Sequence, residues 1–409
     1  MKTAVIGGGA AGMMCAALLK EAGIESVVFE KNEKCGRKLA ITGKGRCNVT
    51  NFCDRETFFS NIATNPRFLY SSYAGFSPSD TMDFFQSHGV PLKVERGNRV
   101  FPVSDRSYDI VDALYGVIKK NVRFGAVTSV LPSGKGYAVK SAGKEEYFEN
   151  VVVATGGLSY PLTGSTGDGY RFAGKLGIKV TNLTPSLVAL TSSEKAGCSS
   201  AMGLSLRNVC VRLYSSSSKV LFSDFGEMLF THFGVSGPLI LSASAHVSDC
   251  DLPCKLSIDL KPALDHKLLD SKLVSIFSGN PNKDVVNTLG TLLPSKIIRL
   301  YLKKSSVDPD RKCNSIKREE RERMVEVLKD LRITISGKSD FSQAVITRGG
   351  IDVSELDPKS MESKKHPGLY FIGEIIDVDA YTGGFNLQIA FSTAAACARD
   401  IIKKSKAAT

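Results

Sequence analysis

The sequence lacks a Cys-x-x-Cys pair and any apolar run long enough to span a bilayer, although it contains ten cysteines. Its most closely spaced cysteines, Cys47 with Cys53 and Cys250 with Cys254, fit neither a redox dithiol nor a zinc pair with neighbouring histidines. We therefore expect reduced thiols and no metal site. Since a bilayer needs about 18 consecutive apolar residues, the sequence predicts no membrane span. The uncharged stretch 3–19 has no small-residue cleavage site after it, so we expect a cytoplasmic protein.

The composition predicts an ordinary globular chain with a basic surface. With 409 residues, 43% hydrophobic and 23% charged, it can bury a sizeable core, and we expect two or three domains. The net charge is +12, and stretch 296–323 holds ten Lys and Arg against five Asp and Glu. Acidic and basic residues alternate there at helix-supporting spacing, without an interleaved aromatic pattern. This favours a solvated helical face over a surface for a polyanion such as RNA.

The first thirty residues predict a strand, a glycine turn, a helix and a second strand, which is the order of a dinucleotide-binding unit. The turn is the sequence GGGAAG at 7–12. Gly7 permits a tight turn, Gly9 lets the backbone approach a pyrophosphate, and Gly12 lets a helix over about 10–22 pack closely on the strand. The helix start then offers free N–H groups and a positive dipole end to the phosphates.

An acidic residue completes this unit. Glu30 lies 18 residues after Gly12, near the roughly 20-residue spacing of a carboxylate that accepts hydrogen bonds from ribose hydroxyls. Because a carboxylate repels a 2′-phosphate, a ligand of NADP type is disfavoured at this site. The glycines of stretch 164–169 have no long strand before them. The sequence therefore predicts no separate nicotinamide-nucleotide domain.

Two further glycine-containing segments predict ligand contacts. Stretch 35–48 carries four cations and three glycines, which favours a phosphate-facing loop over a merely exposed basic loop. The apolar run 150–154 predicts a buried parallel strand that ends in TGG, at the edge where open α/β sheets bind ligands. Near the end of the chain, 368–374 predicts a strand and GGFNL at 383–387 opens a helix.

The residues between these segments predict a different kind of structure, with antiparallel strands and helices. Residues 123–130 predict one strand and 136–140 its hairpin partner. From about 187 to 346, short alternating segments predict a small antiparallel sheet or barrel. Periodic apolar residues between 264 and 331 predict helices within it. This stretch is typical of an inserted domain.

Three distant segments thus converge on one ligand: the N-terminal fingerprint, the basic glycine loop, and the C-terminal strand with its helix. NAD rarely needs all three. FAD does, because its adenine half lies on the first unit while the ribityl chain and flavin extend across the sheet to the last strand and helix. The sequence therefore predicts bound FAD.

At these motifs the chain resembles the aminoacetone-oxidase-like and bile-acid-reductase-like NAD(P)/FAD-dependent oxidoreductases, which have a glutathione-reductase-type FAD domain. The resemblance rests on GRKLAITGKGRCNVTN at 36–51, RVFP at 99–102, ATGGLSYPLTGSTGDGY at 154–170, GEMLFTHFGVSGP at 226–238 and GLYFIGEIIDVDAYTGGFNLQIA at 368–390. These motifs run in family order over nearly the whole chain. One departure is TGKG at 42–45, where the family usually has SGGG, so that Lys44 adds a cation beside the diphosphate or flavin.

The resemblance implies an α/β fold and its domain boundaries. A split Rossmann-like FAD-binding domain of the glutathione-reductase type occupies 1–186 and 347–409. A β-barrel-like substrate domain is inserted at 187–346, with a helical subdomain at about 263–332.

The resemblance also implies tight, non-covalent FAD binding. The glycine fingerprint holds the pyrophosphate, Glu30 the adenosine ribose, the basic loop the phosphates and flavin, and the backbone of Val127 the adenine. The start of the last helix stabilises negative charge at the flavin N1/O2 edge. The implied contact residues are Gly7, Gly9, Ala10, Ala11, Gly12, Glu30, Lys31, Lys38, Thr42, Gly43, Lys44, Gly45, Arg46, Cys47, Asn48, Val127, Thr155, Gly156, Gly157, Gly373, Glu374, Asp377, Gly384, Phe385, Asn386 and Leu387.

The implied reaction is hydride transfer between flavin N5 and a small organic substrate, of enone or amino-ketone type. NAD(P)H, visiting transiently, or dioxygen would recycle the flavin. His232 is the best acid/base candidate, with Arg46 and Tyr381 as further hydrogen-bonding candidates near the flavin. An RNA-modifying flavoprotein that uses the basic helical stretch is the alternative, and a nucleotide-binding module without chemistry is a third. We expect a small-molecule substrate rather than nucleic acid and no membrane partner, and the oligomeric state stays open.

Overall fold

The structure, a computed structural model, describes residues 1–408. The chain divides into two units. The first contains Met1–Ser186 and the chain from Phe341 onward, and the second contains Leu187–Asp340.

The strands are β1 Thr3–Ile6, β2 Ser26–Glu30, β3 Thr50–Asn51, β4 Leu92–Glu95, β5 Arg99–Pro102, β6 Val122–Phe124, β7 Val127–Ser133, β8 Gly136–Ser141, β9 Lys144–Phe148, β10 Asn150–Val153, β11 Thr184–Ser186, β12 Leu190–Ser192, β13 Ser205–Tyr214, β14 Val220–Phe230, β15 Gly234–Ser236, β16 Cys254–Asp259, β17 Leu331–Lys338, β18 Ile346–Arg348 and β19 Leu369–Phe371. The helices are α1 Ala10–Glu21, α2 Arg37–Ile41, α3 Arg55–Ser60, α4 Tyr70–Gly75, α5 Pro78–Ser87, α6 Ser107–Ile118, α7 Asp168–Lys175, α8 Lys195–Ser200, α9 Pro238–Ser244, α10 His266–Ser278, α11 Ser295–Lys304, α12 Arg318–Lys329 and α13 Phe385–Ala408.

A five-stranded parallel sheet forms the centre of the first unit, in the order β19-β10-β1-β2-β6. In register, Val5 of β1 lies between Val28 of β2 and Val152 of β10, and all three side chains are buried. Strands covered on both faces need apolar residues at successive positions, which explains the near-continuous hydrophobic runs. Helices α1 and α13 pack together in the core of this unit. The predicted Rossmann-like α/β fold is confirmed.

Smaller antiparallel sheets complete this unit. They have the strand orders β7-β8-β9, β3-β5-β4 and β11-β18. The single strand predicted over 123–130 is wrong, because the backbone turns at Gly125, whose φ is 155°. This turn ends β6 in the parallel sheet and lets β7 begin the β7-β8-β9 sheet.

The second unit is a closed six-stranded barrel in the order β12-β15-β14-β13-β16-β17. Alternate residues of its strands, such as Val211, Leu256 and Ile333, are buried. The helices α10, α11 and α12 lie between β16 and β17 in sequence, and their buried residues join the same hydrophobic core. The predicted barrel-plus-helix architecture is confirmed. None of the described helices has the length and hydropathy needed to cross a bilayer.

The boundary after the barrel differs slightly from the expected one. Residues 341–346 belong to the first unit. The reason is that β18 begins at Ile346 and pairs with β11, whose Ser186 lies opposite Ile346. The N–H of Tyr160 in the first unit also donates to Phe341 O at 3.1 Å, so contacts within the first unit, rather than the composition of the segment, set this boundary.

Candidate functional site

A cavity opens in the first unit where β1, β2 and β10 end. Its empty volume, counting the space open to solvent, is about 1260 Å³. The glycine turn after β1, the end of β2 and residues 154–156 after β10 form its wall, together with the beginnings of α2 and α13. The cavity therefore lies at the carboxyl ends of parallel strands, where open α/β sheets bind ligands.

The start of α1 presents backbone donors to this cavity. Gly9 is the N-cap residue, and within residues 1–408 no side chain caps this helix start. Ala10 and Ala11 line the cavity, so their N–H groups are available to an anion. A Cβ on Gly12 would lie 1.9 Å from the carbonyl oxygen of Gly7, whereas one on Gly9 would meet nothing within 4 Å. Gly12 thus permits the close helix packing, and Gly9 leaves room for a ligand.

Glu30, at the end of β2, is 7% exposed and lines the cavity. Its Oε2 accepts a hydrogen bond from the N–H of Gly8 at 2.9 Å. Its Oε1 accepts from the backbone N–H of Asn32 at 2.8 Å and from Asn32 Nδ2 at 2.7 Å. A carboxylate oxygen can accept two hydrogen bonds, so Oε2 retains capacity for a ribose hydroxyl.

An ion pair lies on the same side of the cavity. Lys31 Nζ lies 2.7 Å from Asp168 Oδ2 and donates to Thr166 Oγ1 at 2.5 Å. Burial raises the pKa of Asp168, but its hydrogen bond and charge pairing with Lys31 give a net lowering of that pKa. Asp168 is therefore ionised at neutral pH and neutralises Lys31.

A second ion pair joins α2 to the segment that follows β19. Lys38 Nζ in α2 lies 2.5 Å from Glu374 Oε2, after β19, and also donates to Ser159 Oγ at 2.5 Å. Glu374 Oε1 accepts from the N–H of Thr347 at 3.0 Å and from the hydroxyl of Ser159. These contacts fasten α2 to the end of the parallel sheet at the cavity wall.

The start of α13 contributes a further set of backbone donors. The first N–H bonded within this helix start is that of Gln388, which donates to Gly384 O at 3.1 Å. Asn386 and Leu387 line the cavity. The side chain of Asn386 bonds both the N–H and the carbonyl of Ala380, which holds the preceding loop in place. The N–H groups of the first turn therefore remain available to a ligand.

These features fit FAD. The two helix starts supply donors for the pyrophosphate and for an electron-rich flavin edge, and Glu30 supplies an acceptor for ribose. Thr155 lines the cavity, and its buried Oγ1 has no hydrogen-bond partner in the described part of the chain. Such an orphaned hydroxyl is expected where a bound molecule completes the site.

The cavity brings together a large part of the predicted cofactor set. The predicted residues that line it are Gly7, Gly9, Ala10, Ala11, Glu30, Lys31, Lys38, Thr42, Val127, Thr155, Gly156, Glu374, Asn386 and Leu387. Those that lie outside its lining are Gly12, Gly43, Lys44, Gly45, Arg46, Cys47, Asn48, Gly157, Gly373, Asp377, Gly384 and Phe385. Contact of either set with FAD stays a prediction.

The second half of the basic loop turns away from the cavity lining. Arg46 forms ion pairs with Glu95 and Asp105, at 2.5 and 2.6 Å, and its guanidinium carbon lies 4.2 Å from the centre of the Phe101 ring. Cys47 is fully buried, and burial raises the pKa of its thiol to about 12. It is therefore a packed thiol at neutral pH.

The substrate-side candidates lie in different units. His232 is exposed in the turn between β14 and β15 of the barrel unit, with its ring edge-on to Phe233. Tyr381 lies in the first unit, in the loop before α13, where its N–H donates to Asn61 O at 3.0 Å. Neither residue belongs to the cavity lining, and their catalytic roles stay predictions.

Sequence reasoning missed several lining residues. Outside the segments that the sequence singled out, they are Asn32, Gly125, Ala126, Thr163, Gly164, Ser165, Asp168, Phe172, Val345 and Ile346. Part of the signal was present in the glycines of 164–169, which the sequence analysis set aside because no long strand precedes them. The pairing of Lys31 with Asp168 had no local signal, since 137 residues separate them.

The chain is similar to known proteins over nearly its whole length. Residues 1–400 match the family model described as HI0933-like protein Rossmann domain. The chain is 32% identical over 407 residues to a ribosomal RNA dihydrouridine synthase of Escherichia coli (strain K12), covering 97% of each chain. It is 27% identical over 398 residues to a 3-dehydro-bile acid delta(4,6)-reductase of Clostridium scindens, covering 95% of this chain and 96% of the relative.

A solved structure shows the same fold. The 3-ketosteroid delta1-dehydrogenase of Sterolibacterium denitrificans has a TM-score of 0.53 and 12% identity, with 98% of this chain and 99% of that chain covered. The predicted family and the predicted cofactor are confirmed. The chain belongs to the HI0933-like family of Rossmann-domain proteins and is an FAD-dependent oxidoreductase.

Proposed function

We propose that this protein reduces the C5–C6 double bond of uridine in ribosomal RNA to give dihydrouridine. The observation that carries the proposal is the 32% identity, over 97% of both chains, to the E. coli enzyme named for that reaction. The identity to the bile acid reductase is lower, at 27%. The net charge of +12 supports an anionic substrate.

The two relatives' names describe one class of chemistry. The C5–C6 double bond of uracil is conjugated to its C4 carbonyl, and the Δ4 bond of a 3-oxo steroid is conjugated to its C3 carbonyl. Reduction of either adds a hydride to the β-carbon and a proton to the α-carbon. FAD, when bound and reduced by NAD(P)H, would supply the hydride from its N5 atom. The overall balance is uridine, NAD(P)H and a proton giving dihydrouridine and NAD(P)⁺.

The residues of the cavity would bind and orient the cofactor. The N–H groups of Ala10 and Ala11 would bind the pyrophosphate, and Glu30 would bind the adenosine ribose. The N–H groups of Asn386 and Leu387 would face the N1/O2 edge, where negative charge is favoured on reduction. These assignments divide the ligand between the first and last helices of the first unit.

The reaction also needs a proton donor for the α-carbon. We assign this role to the imidazole of His232 or to the hydroxyl of Tyr381, since both groups can act as proton donors. Arg46 would first have to leave Glu95 and Asp105 to reach a substrate. Since no second dinucleotide fingerprint is present, NAD(P)H would visit the flavin transiently.

The test is a direct assay for the product. The purified, FAD-loaded protein is incubated anaerobically with NADH or NADPH and with ribosomal RNA from cells that lack its gene. The RNA is then digested to nucleosides and analysed by mass spectrometry. A new dihydrouridine that requires both protein and reduced nucleotide is the expected result. No dihydrouridine with either nucleotide would overturn the proposal.

A second candidate is reduction of a small enone of steroid type, which the 27% identity to the bile acid reductase favours. The same assay separates the two candidates. A Δ4-3-oxo bile acid added in place of RNA would be reduced under the second candidate only. Amino-ketone oxidation, which the sequence also allows, would instead consume dioxygen without NAD(P)H.

A further inference from the structure

Half of the ten cations in the basic helical stretch are neutralised by carboxylates. Five of its cations form ion pairs with acidic residues at 2.5 to 2.8 Å. These pairs are Lys304 with Glu194, Arg311 with Glu320, Lys312 with Asp284, Arg318 with Glu322, and Arg321 with Asp270. An RNA surface would have to break these pairs, so the stretch is a poor candidate for binding a polyanion.

The outer surface of the barrel is different. Residues in register on neighbouring strands face the same side, so Ser223 of β14, Arg212 of β13, Ser257 of β16 and Arg332 of β17 form one row across four strands. Residues at alternate positions of these strands, such as Val211, are buried inside the barrel. Ser223, Arg212 and Arg332 are exposed, so the row faces outward, although Ser257 between the two arginines is only 8% exposed.

The flanking positions of the same strands add one cation and two aromatic rings. Tyr214 of β13 lies opposite Lys255 of β16, one outward position beyond Arg212. Phe225 of β14 lies opposite Cys210, one outward position on the other side, and is 55% exposed. We call the set Arg212, Tyr214, Phe225, Lys255 and Arg332 the barrel outer face.

The charges of the barrel outer face are mostly uncompensated. Within residues 1–408, neither Arg212 nor Lys255 forms an ion pair, and both are exposed. Arg332 pairs with Asp330 at 2.6 Å. Two outward carboxylates lie nearby: Asp259 is neutralised by Lys329 at 2.6 Å, whereas Glu227, two residues after Phe225 on β14, is exposed. The barrel outer face thus presents net positive charge around two rings.

We propose that the barrel outer face binds a single-stranded segment of RNA. Exposed aromatic rings on a sheet surface stack unpaired bases, while arginine and lysine contact the phosphates. Arg212 and Arg332 lie two strand spacings apart, about 10 Å, on either side of the small Ser257. A duplex has its bases stacked inside, so the rings favour a single strand. This inference rests on the proposed function, because it supplies that reaction with a surface for its substrate.

The experiment measures binding of the full-length, FAD-loaded protein to a fluorescein-labelled 12-nucleotide oligouridine by anisotropy. The variants are R212Q/K255Q and F225A, with R299Q/K303Q as the matched control. Arg299 and Lys303 are exposed cations of α11. Flavin absorbance and far-UV circular dichroism equal to those of the wild type show that each variant is folded.

We expect R212Q/K255Q to bind oligouridine at least about fivefold more weakly than the wild type. The slope of the logarithm of the binding constant against the logarithm of the salt concentration should be smaller in magnitude by about 1.4, because each contacted phosphate contributes about 0.7. F225A should lose at least about fivefold in affinity with an unchanged slope, since stacking carries no charge. The R299Q/K303Q control should bind like the wild type. Wild-type affinity in both face variants, or no binding by the wild type at low salt, would overturn the inference.

The product assay keeps the two proposals distinguishable. If the wild type forms dihydrouridine while the face variants keep full affinity for oligouridine, the inference fails and the proposed function stands. If the face variants lose affinity but no dihydrouridine forms with wild-type protein, the surface stands and the proposed function fails.

Discussion

Lys38 and Glu374 form an ion pair in which Nζ lies 2.5 Å from Oε2, although 336 residues separate them in the chain. The two side chains are only 23% and 15% exposed. The pair joins the helix of the basic loop to the turn after the last strand, and both residues line the cavity. The pair therefore links the two parts of the split FAD domain beside the cofactor site.

Replacing Lys38 by Met should weaken FAD binding by about tenfold or more. The change leaves the Glu374 carboxylate without its cation at the cavity wall, and removing one partner of a poorly solvated pair costs more than the pair itself contributes. The check is a fluorescence titration of the apoprotein with FAD. Lys365→Met is the control, because its pair with Glu355 lies away from the cavity lining. Equal FAD affinity in both variants would contradict the role of the Lys38 pair.

Gly12→Ala should prevent FAD binding and destabilise the first unit. Its methyl group would lie 1.9 Å from the Gly7 carbonyl oxygen, which neither backbone segment can accommodate without moving. Gly116→Ala is the matched control, since Gly116 also lies in a helix and its Cβ would meet nothing within 4 Å. That control should gain about 0.4–1 kcal/mol in the free energy of unfolding. Urea unfolding and the flavin content of the purified variants measure both effects.

The buried carboxyl of Asp379 predicts a pH dependence of stability. Burial raises the pKa of Asp379, which is 1% exposed and whose Oδ2 accepts from Ser186 Oγ at 3.2 Å. An aspartate carboxyl in the unfolded chain has a pKa of about 3.9. If folding raises that pKa, the carboxyl stabilises the folded state at pH below about 3.9, and this stabilisation is lost as pH rises through the folded-state pKa. Asp379→Asn should therefore gain stability relative to the wild type as pH rises from 4 to 7.

Asp352 provides a comparison of opposite sign. Hydrogen bonds from Lys179 and Ser354 lower its pKa to about 2. The contribution of Asp352 to the free energy of unfolding is present above the pKa of this carboxyl in the unfolded chain, and it is lost as pH falls through about 2. Asp352→Asn should lose stability relative to the wild type as pH rises from 2 to 5. Urea unfolding from about pH 2 to about pH 7 measures both variants, and a common sign of the two pH trends would refute the assignment.

Substitution of His232 should separate catalysis from cofactor binding. If its imidazole donates the proton, His232→Gln should leave FAD bound and lower kcat by about 10²- to 10⁴-fold. Tyr381→Phe tests the other candidate in the same way. Steady-state kinetics with an identified substrate give the answer, and an unchanged rate removes the substituted residue from the mechanism.

The first unit could be predicted well wherever local chemistry decides the structure. The turn at Gly7, Gly9 and Gly12 and the acid at Glu30 follow from one βαβ unit, in which spacing along the chain fixes spacing in space. The buried strand β10 follows from its continuous apolar run, which only a strand covered on both faces needs.

The rest depends on partners that are distant in sequence. Arg46 was predicted beside the cofactor, but Glu95 and Asp105, some 50 and 60 residues later, hold its guanidinium. Nothing near Lys31 in the sequence indicates that Asp168 will neutralise it. Long-range ion pairs decide which cations of a basic loop remain available to a phosphate, and a single sequence does not encode them locally.

The most direct test of the account is anaerobic spectroscopy of the purified protein. The flavin is first bleached with NADH or NADPH, and ribosomal RNA that lacks the modification is then added without air. Return of the oxidised flavin bands with stoichiometric dihydrouridine in the RNA is the predicted result. Flavin that stays reduced with RNA, yet reoxidises with a small enone or only with air, would contradict the assignment of ribosomal RNA as the substrate.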